Sequence, residues 1–215
     1  MNAARPVPAA FVRAHTRPVR PPLVPEVTLL VAADVVLLWE AMEERQGNAP
    51  SEPPFWAAAW PGGQALARHV LDHPEVVAGR SVLDLGSGSG LVAVAAAMAG
   101  AASVVASEID PYGRTAIVLN AEVNGVPPMR VLGDVLDAGP PGADVVLAGD
   151  VCYDRAMTER VLPFLDMARV HGAEVLIGDP GRPYLPQDRL APVARFDVAD
   201  TEGPQVRRTT VWRFP

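Results

Sequence analysis

Val82-Leu83-Asp84-Leu85-Gly86-Ser87-Gly88-Ser89-Gly90 is the stretch on which the reading of this chain turns. A short apolar run ends in three glycines within five residues, and the small-residue stretch Leu91–Met98 that follows reads as a helix. Strand, glycine loop and helix in that order let backbone N–H groups approach a ligand closely at a helix N-terminus. From Leu85 to Ser107 there are 23 residues without a charge. The glycine loop and the alanines inside that stretch argue against a membrane span, and the chain reads as soluble.

Outward from the loop, the pattern alternates. Strands are predicted at Ser81–Leu85, Ser103–Ser107, Met129–Leu132, Asp144–Gly149, Glu174–Gly178, Ala194–Val198 and Arg207–Arg213. Helices are predicted at Leu91–Met98, Tyr112–Val123 and Ala156–Val170. This spacing implies βαβ units and a parallel, doubly wound sheet. The last two strands are more charged, with no helix between them, and predict an antiparallel edge. Upstream lie a helix at Ala33–Arg45, a turn-rich loop, the aromatic run Phe55-Trp56-Ala57-Ala58-Ala59-Trp60-Pro61-Gly62-Gly63 and a helix at Gln64–His73. The expected fold is α/β and Rossmann-like, with seven strands, an antiparallel C-terminal strand and an N-terminal extension. It divides into residues 1–60 (arm, helix and aromatic loop) and 61–215 (cofactor-binding unit), within one structural domain.

The chain has 215 residues, 49% of them hydrophobic and 20% charged, enough for one large folded domain. Its 18 basic side chains are all arginine; with 25 acids the net charge is −7. That balance argues against coating nucleic acid or an anionic membrane. One cysteine, Cys152, excludes an intramolecular disulfide and fits a reducing compartment. Residues 1–25 carry Arg5, Arg13, Arg17 and Arg20 and no acid, which leaves 14 arginines against 25 acids, or −11, in the rest. Six prolines there (Pro6, Pro8, Pro18, Pro21, Pro22 and Pro25) argue against the amphipathic helix of a transit peptide. They predict a polyproline-like arm lying on an acidic body.

Gly88-Ser89-Gly90-Leu91-Val92-Ala93 satisfies the dinucleotide fingerprint G-x-G-x-x-A, with Glu108 about 20 residues on as a ribose-binding acid. Two features favour S-adenosylmethionine instead. Asp84, two residues before the first glycine, can meet the ammonium of a methionine moiety, and the chain lacks a second nucleotide half. Glu108, after the second strand, can accept both ribose hydroxyls. Asp110, before Pro111, reads as a helix cap. Asp134, after the third strand, can accept from an adenine amino group or form a turn beside Gly133. The candidate cofactor set is Asp84, Gly86, Ser87, Gly88, Gly90, Glu108, Ile109, Asp134, Val135 and Gly149.

The fourth strand ends Ala148-Gly149-Asp150-Val151-Cys152-Tyr153-Asp154. Ligands bind at the carboxyl edge of such a sheet, so Asp150 and Tyr153 would face the reacting end of the cofactor. The plainer alternative has Asp150 capping the next helix and Tyr153 packing. Nucleobase amino methyltransferases carry an Asn/Asp-Pro-Pro-aromatic run at this place, and Asp-Val-Cys-Tyr leans away from nucleic acid. His69 and His73 share a helix face, but no third ligand lies near them in sequence, so no metal is expected.

Taken together, Phe55-Trp56, Trp60-Pro61-Gly62-Gly63-Gln64-Ala65-Leu66, VLDLGSGSG, SEIDP, LAGDVCYD and Gly178-Asp179-Pro180-Gly181-Arg182 resemble the seven-β-strand lysine methyltransferases. Within them the match is to the electron-transfer flavoprotein β-subunit lysine methyltransferase family and its bacterial relatives, from about Phe11 to Phe214. The resemblance implies a class I methyltransferase that takes S-adenosylmethionine, leaves S-adenosylhomocysteine and uses no metal. It implies that Trp60, Gly86, Gly88 and Glu108 contact the cofactor. It places Asp150 and Tyr153, an Asp-x-x-Tyr element, beside the target lysine as the catalytic pair, with Trp56 lining the substrate channel. The implied substrate is the flavoprotein β subunit, met by a monomer in a bacterial cytoplasm, without nucleic acid or membrane. Methylation of another protein (for example ribosomal), methylation of a small molecule such as a pyridine or amine, and a non-catalytic binding module are the alternatives.

Overall fold

The computed structural model describes residues 7–139, 142–199 and 205–215. In chain order the elements are α1 (Ala9–His15), β1 (Thr16–Val19), β2 (Leu29–Ala32), α2 (Val35–Arg45), α3 (Pro61–Asp72), β3 (Ser81–Leu85) and α4 (Leu91–Met98). There follow β4 (Ser103–Ser107), α5 (Pro111–Val123), β5 (Arg130–Leu132), β6 (Val145–Gly149), α6 (Arg155–Val170), β7 (Glu174–Asp179), β8 (Ala191–Ala199) and β9 (Val206–Phe214). Every strand and helix expected from Ser81 onward is present, with ends moved by at most three residues.

The main sheet has the order β5-β4-β3-β6-β7-β9-β8 among the described residues. Strands β3 to β7 pair in parallel, and β9, the last in the chain, inserts antiparallel between β7 and β8. Strand β3 lies where the winding reverses, with β4 on one side and β6 on the other, and ligand crevices open at such a switch point. Alternation of side chains sorts the core into two layers. Leu83, Leu85, Val146, Ala148, Val175 and Ile177 pack on Phe164 and Leu165 of α6. Val82, Val145, Leu147 and Leu176 face the other way, onto Leu66 and Val70 of α3 and Ala93 and Ala96 of α4.

The N-terminal region departs from expectation. The prolines predict a polyproline-like arm; the chain instead forms α1 and then β1, which pairs antiparallel with β2. Between Pro8 and Pro18 there is no proline, so Ala9–His15 has room for a short helix, with Pro8 at its N-cap. Val12 of that helix is buried with Leu38 and Met42 of α2 against Tyr112, Ala116 and Leu119 of α5. Arg5 and Pro6, counted in the expected arm, lie outside the described residues. Buried Asn120 of α5 joins this layer to the glycine loop: its side chain accepts from Leu30 N at 2.8 Å and donates to Ser89 O at 2.8 Å.

Helix α3 starts three residues earlier than its apolar pattern indicates, at Pro61, whose fixed φ suits the first helical turn. Its first turn lies directly on the ends of β6 and β7. A Cβ on Gly62 would overlap the Gly178 carbonyl, one on Gly178 would overlap the Gly62 carbonyl, and one on Gly149 would stand 2.9 Å from Gly63 Cα. Backbone meets backbone here, and no relaxation of a side chain can make space. Gly178→Ala is therefore expected to destabilise the protein by about 3 kcal/mol, at the severe end of overpacking substitutions. Urea unfolding of the variant beside wild type, at constant m-value, measures it.

Candidate active site

The carboxyl ends of β3, β4, β6 and β7 bring the predicted residues to one edge of the sheet. Gly86, Gly88 and Gly90 all take positive φ (65°, 53° and 79°), which turns the chain sharply from β3 into α4. Gly86 is exposed and Gly88 half-buried at the lip of this loop. Gly90 is the left-handed N-cap of α4, where a Cβ would press on Ile117 at 3.1 Å, so it serves packing. Ser87 lies beneath, donating its hydroxyl to the Asp84 carbonyl at 2.9 Å.

Glu108 leaves β4 and turns back to the loop. Its carboxylate accepts from Gly88 N at 2.7 Å and from Asp110 N at 2.8 Å, and burial raises its pKa. Ile109 beside it is exposed. Asp110 caps α5, accepting from Tyr112 N at 2.7 Å, in agreement with the sequence.

Three expected ligand residues are placed otherwise. Asp84 is 1% exposed and accepts from Ala93 N at 3.0 Å in the first turn of α4, so it supports the loop from below. Asp134 forms the turn that was its alternative: it accepts from Leu136 N at 3.0 Å and pairs with Arg160 at 2.8 Å. Partial burial opposes its ionisation, but the Arg160 guanidinium keeps the carboxyl below the ordinary range. Val135 is buried in the core layer under α6.

Asp150 follows β6 with a φ of 59°, a left-handed conformation that a non-glycine residue adopts at a cost. It does not cap the helix after it; Asp154 does, accepting from Met157 N at 2.8 Å. Asp150 instead caps α3 across space, its Oδ2 accepting from Gly63 N at 2.8 Å. Its Oδ1 pairs with Arg182 at 2.6 Å. Burial pushes the Asp150 carboxyl up to about 6, opposed by Arg182 and the Gly63 amide.

An aromatic cluster stands beside it. Phe55, Trp60 and Tyr153 are 44%, 40% and 44% exposed, with the Phe55 ring 6.0 Å from Trp60 and 5.8 Å from Tyr153. Trp60 Nε1 donates to the Phe55 carbonyl at 2.7 Å, which fixes the loop. Trp56, expected in the channel, is 1% exposed and packs with Val12, Leu38 and Tyr112. The one-turn 3-10 helix Phe55–Ala57 turns neighbouring residues about 120° apart, so Trp56 is buried while Phe55 is exposed. Composition alone could not choose between two adjacent aromatics.

The loop acids form a set that suits a cation. Asp84 and Glu108 are both buried, and the Glu108 charge adds to the cost of ionising Asp84. Burial and the Glu108 charge push Asp84 up to about 7, against the hydrogen bonds it accepts. A ligand carrying an ammonium and a sulfonium would relieve that cost. Two clefts are present, the first of which shares Ile109 with the candidate site. One of about 730 Å³ runs from Met42 and Arg45 to Ile109 and Tyr112, beside the loop. Another of about 440 Å³, lined by Asp144 and His171, is at the far end of β6.

Because folded Asp84 holds its proton more tightly than the unfolded chain does, its contribution to stability is present below the ordinary carboxylate range. It is lost as pH rises through about 7. Asp84→Asn keeps an acceptor for Ala93 and removes the buried charge. The ligand-free variant should be more stable than wild type above pH 7, by about 1.4 kcal/mol per pKa unit removed. Thermal melts from pH 4 to 9 check this, with a flatter profile expected for the variant.

The model of the ribosomal protein L11 methyltransferase (PrmA) family matches residues 65–150, the loop and the strands around it. The electron transfer flavoprotein β subunit lysine methyltransferase of Xenopus laevis is 37% identical over 216 residues, 96% of this chain and 87% of that protein. The Rattus norvegicus protein of the same name is 42% identical, covering 89% of this chain and 78% of its own. Magnesium protoporphyrin IX methyltransferase from Synechocystis, solved with bound S-adenosylhomocysteine, superposes with a TM-score of 0.53 at 12% identity (82% of this chain, 94% of that one), a likeness of fold. These animal relatives overturn the expected bacterial cytoplasmic setting: the full-length similarity is to vertebrate proteins, and the bacterial L11 methyltransferases match a smaller part of the chain. On the strength of similarity along nearly its whole length, this chain belongs to the electron transfer flavoprotein β subunit lysine methyltransferase family.

Proposed function

We propose that the protein methylates lysine side chains of the electron transfer flavoprotein β subunit, with Asp150 and Tyr153 beside the target amine. The relatives' names support the substrate. The observation that carries the site is the Asp150 carboxylate, held in a left-handed conformation after β6 and tied to the first turn of α3, whose N-cap Trp60 belongs to a cluster of three exposed aromatic rings. Residues 61–215 supply most of the cofactor site, and the segment before them contributes Phe55 to the substrate side and Trp60 to both. No metal is required by this chemistry, and the protein works as a monomer.

S-adenosylmethionine, when bound, supplies a sulfonium methyl open to in-line attack. Gly86, Gly88, Glu108, Ile109 and Trp60 are the residues exposed or tied to the lip of the loop that would hold it. The protein's own residues then have three tasks. A lysine amine with a pKa near ~10.4 must shed its proton, and enclosure next to a cation lowers that value. Asp150 accepts a hydrogen bond from the amine, fixes its direction and passes the proton to water. Phe55, Trp60 and Tyr153 line the aliphatic stem with ring faces, which also tolerate a cationic head. Most of the acceleration comes from alignment of the amine, since no strong base is present in the set.

Asp150→Asn should lower methyl transfer to the recombinant β subunit about 100-fold or more, the scale of a lost acid–base group. Binding of S-adenosylmethionine, read by calorimetry, should stay within about threefold, well under 1 kcal/mol. Equal loss of both would remove the assigned role. Phe55→Ala should raise KM for the protein substrate about tenfold, or about 1.4 kcal/mol, with an unchanged melting temperature. Incubation of a lysate with methyl-labelled cofactor tests the substrate class: label in a protein of the β subunit's mass is expected, and label confined to small molecules would refute it.

A further inference from the structure

We propose that Arg182 is a positioning residue for methyl transfer: clamped between Asp150 and Asp179, its guanidinium holds the Asp150 carboxylate ionised and in one orientation. The inference rests on the reading of Asp150 as the carboxylate beside the target amine.

The geometry is built for this purpose. Asp179, at the end of β7, is fully buried. Its Oδ1 accepts from Gly181 N and Arg182 N, both at 2.7 Å, so the carboxylate is immobilised by the turn that carries the arginine. Gly181 takes a φ of 88°, and the chain doubles back. Arg182 then returns one nitrogen, Nη1, to both acids, 3.1 Å from Asp179 Oδ2 and 2.6 Å from Asp150 Oδ1. Burial works against the guanidinium charge, yet the two carboxylates hold its pKa above the ordinary arginine value.

Each group acting on Asp150 has a definite sign. Burial favours its neutral form, and the Asp179 charge does likewise. Arg182 and the Gly63 amide from α3 favour the carboxylate. Cys152, two residues on, contributes no charge, because burial pushes its thiol up to about 11. Arg182 is thus the one cation in direct contact with Asp150 among the described residues. Remove it, and two buried acids face each other with only an amide to keep Asp150 ionised. A protonated Asp150 could no longer take a proton from the lysine amine. Asp179 has the opposite effect: it draws on the same nitrogen and repels Asp150.

Three variants separate this role from mere support of the fold: Arg182→Met, Arg182→Lys and Asp179→Asn, the last keeping an acceptor for both turn amides. The Asp150 carboxyl carbon is followed by NMR in protein labelled at aspartate, its signal assigned by its absence from Asp150→Asn. This readout needs no turnover. Arg182→Met should raise the Asp150 titration by about one pH unit or more, Arg182→Lys should reverse most of that rise, and Asp179→Asn should lower it. The acid limb of kcat on the β subunit should move in the same directions, with KM for S-adenosylmethionine nearly constant. An Asp150 titration that stays put in folded Arg182→Met and Asp179→Asn overturns the inference, even if activity falls, and leaves the methyltransferase reading standing. If Arg182→Met does not fold, Asp179→Asn decides: a downward shift of the Asp150 titration supports the inference and an unmoved titration overturns it. Full transfer by Asp150→Asn would instead overturn the reading on which the inference rests.

Discussion

The first turn of α3 lies on the ends of β6 and β7 with no side chain between them, and the working edge of the molecule is organised around that contact. Gly62 and Gly178 meet through their backbones, as do Gly63 and Gly149. Only at this distance can the Gly63 amide reach the Asp150 carboxylate, while Asp150 N donates to the Gly178 carbonyl at 2.8 Å. The two bonds hold Asp150 in its left-handed conformation. The same seat fixes Trp60, the N-cap of α3, and through the indole N–H the Phe55 carbonyl. Four glycines thus place a carboxylate and an aromatic wall next to the loop after β3.

Charge is distributed around this seat in two ways. Near the glycine loop, Asp84 and Glu108 are buried with raised proton affinity and are held by backbone amides. That arrangement costs stability in the ligand-free chain and fits a cationic cofactor, a trade-off usual at functional sites. At the ends of β6 and β7, Arg182 already supplies the compensating cation for Asp150 and Asp179. The basic side chains of the whole chain are all arginine, so the protein presents no lysine side chain of its own to the chemistry of its family. An arginine at Asp150 remains charged across the pH range in which a lysine amine must lose its proton.

Much of this was legible in the residues. The glycine loop between a strand and a helix, the alternation of elements after Ser81 and the charged last strands led to the sheet that is found, because period and punctuation are local properties. Asp110 as a cap was readable for the same reason. The errors share a cause. Trp56 and Phe55 are adjacent aromatics, and which one is exposed depends on a single 3-10 turn. The prolines near the N-terminus masked a seven-residue helix that survives because it packs on α2 and α5. Asp84, read as meeting the cofactor's ammonium, is buried at the end of β3 and accepts from Ala93 N, a depth that the spacing of the motif does not reveal. Arg182 stood in the motif Gly-Asp-Pro-Gly-Arg without a role, as nothing in the spacing brings it to Asp150, 32 residues away.

The sequence by itself determined the α/β class, the glycine loop between β3 and α4 and the strand ends from which acids project. These follow from hydrophobic period, glycine conformational freedom and the positions of charge along the chain. Only the tertiary structure decided which of those acids are buried under backbone amides, which of the adjacent aromatics is exposed, and which arginine answers Asp150. Such choices depend on distances between segments far apart in the chain, and on burial, which changes the protonation of a carboxylate without changing a letter of the sequence.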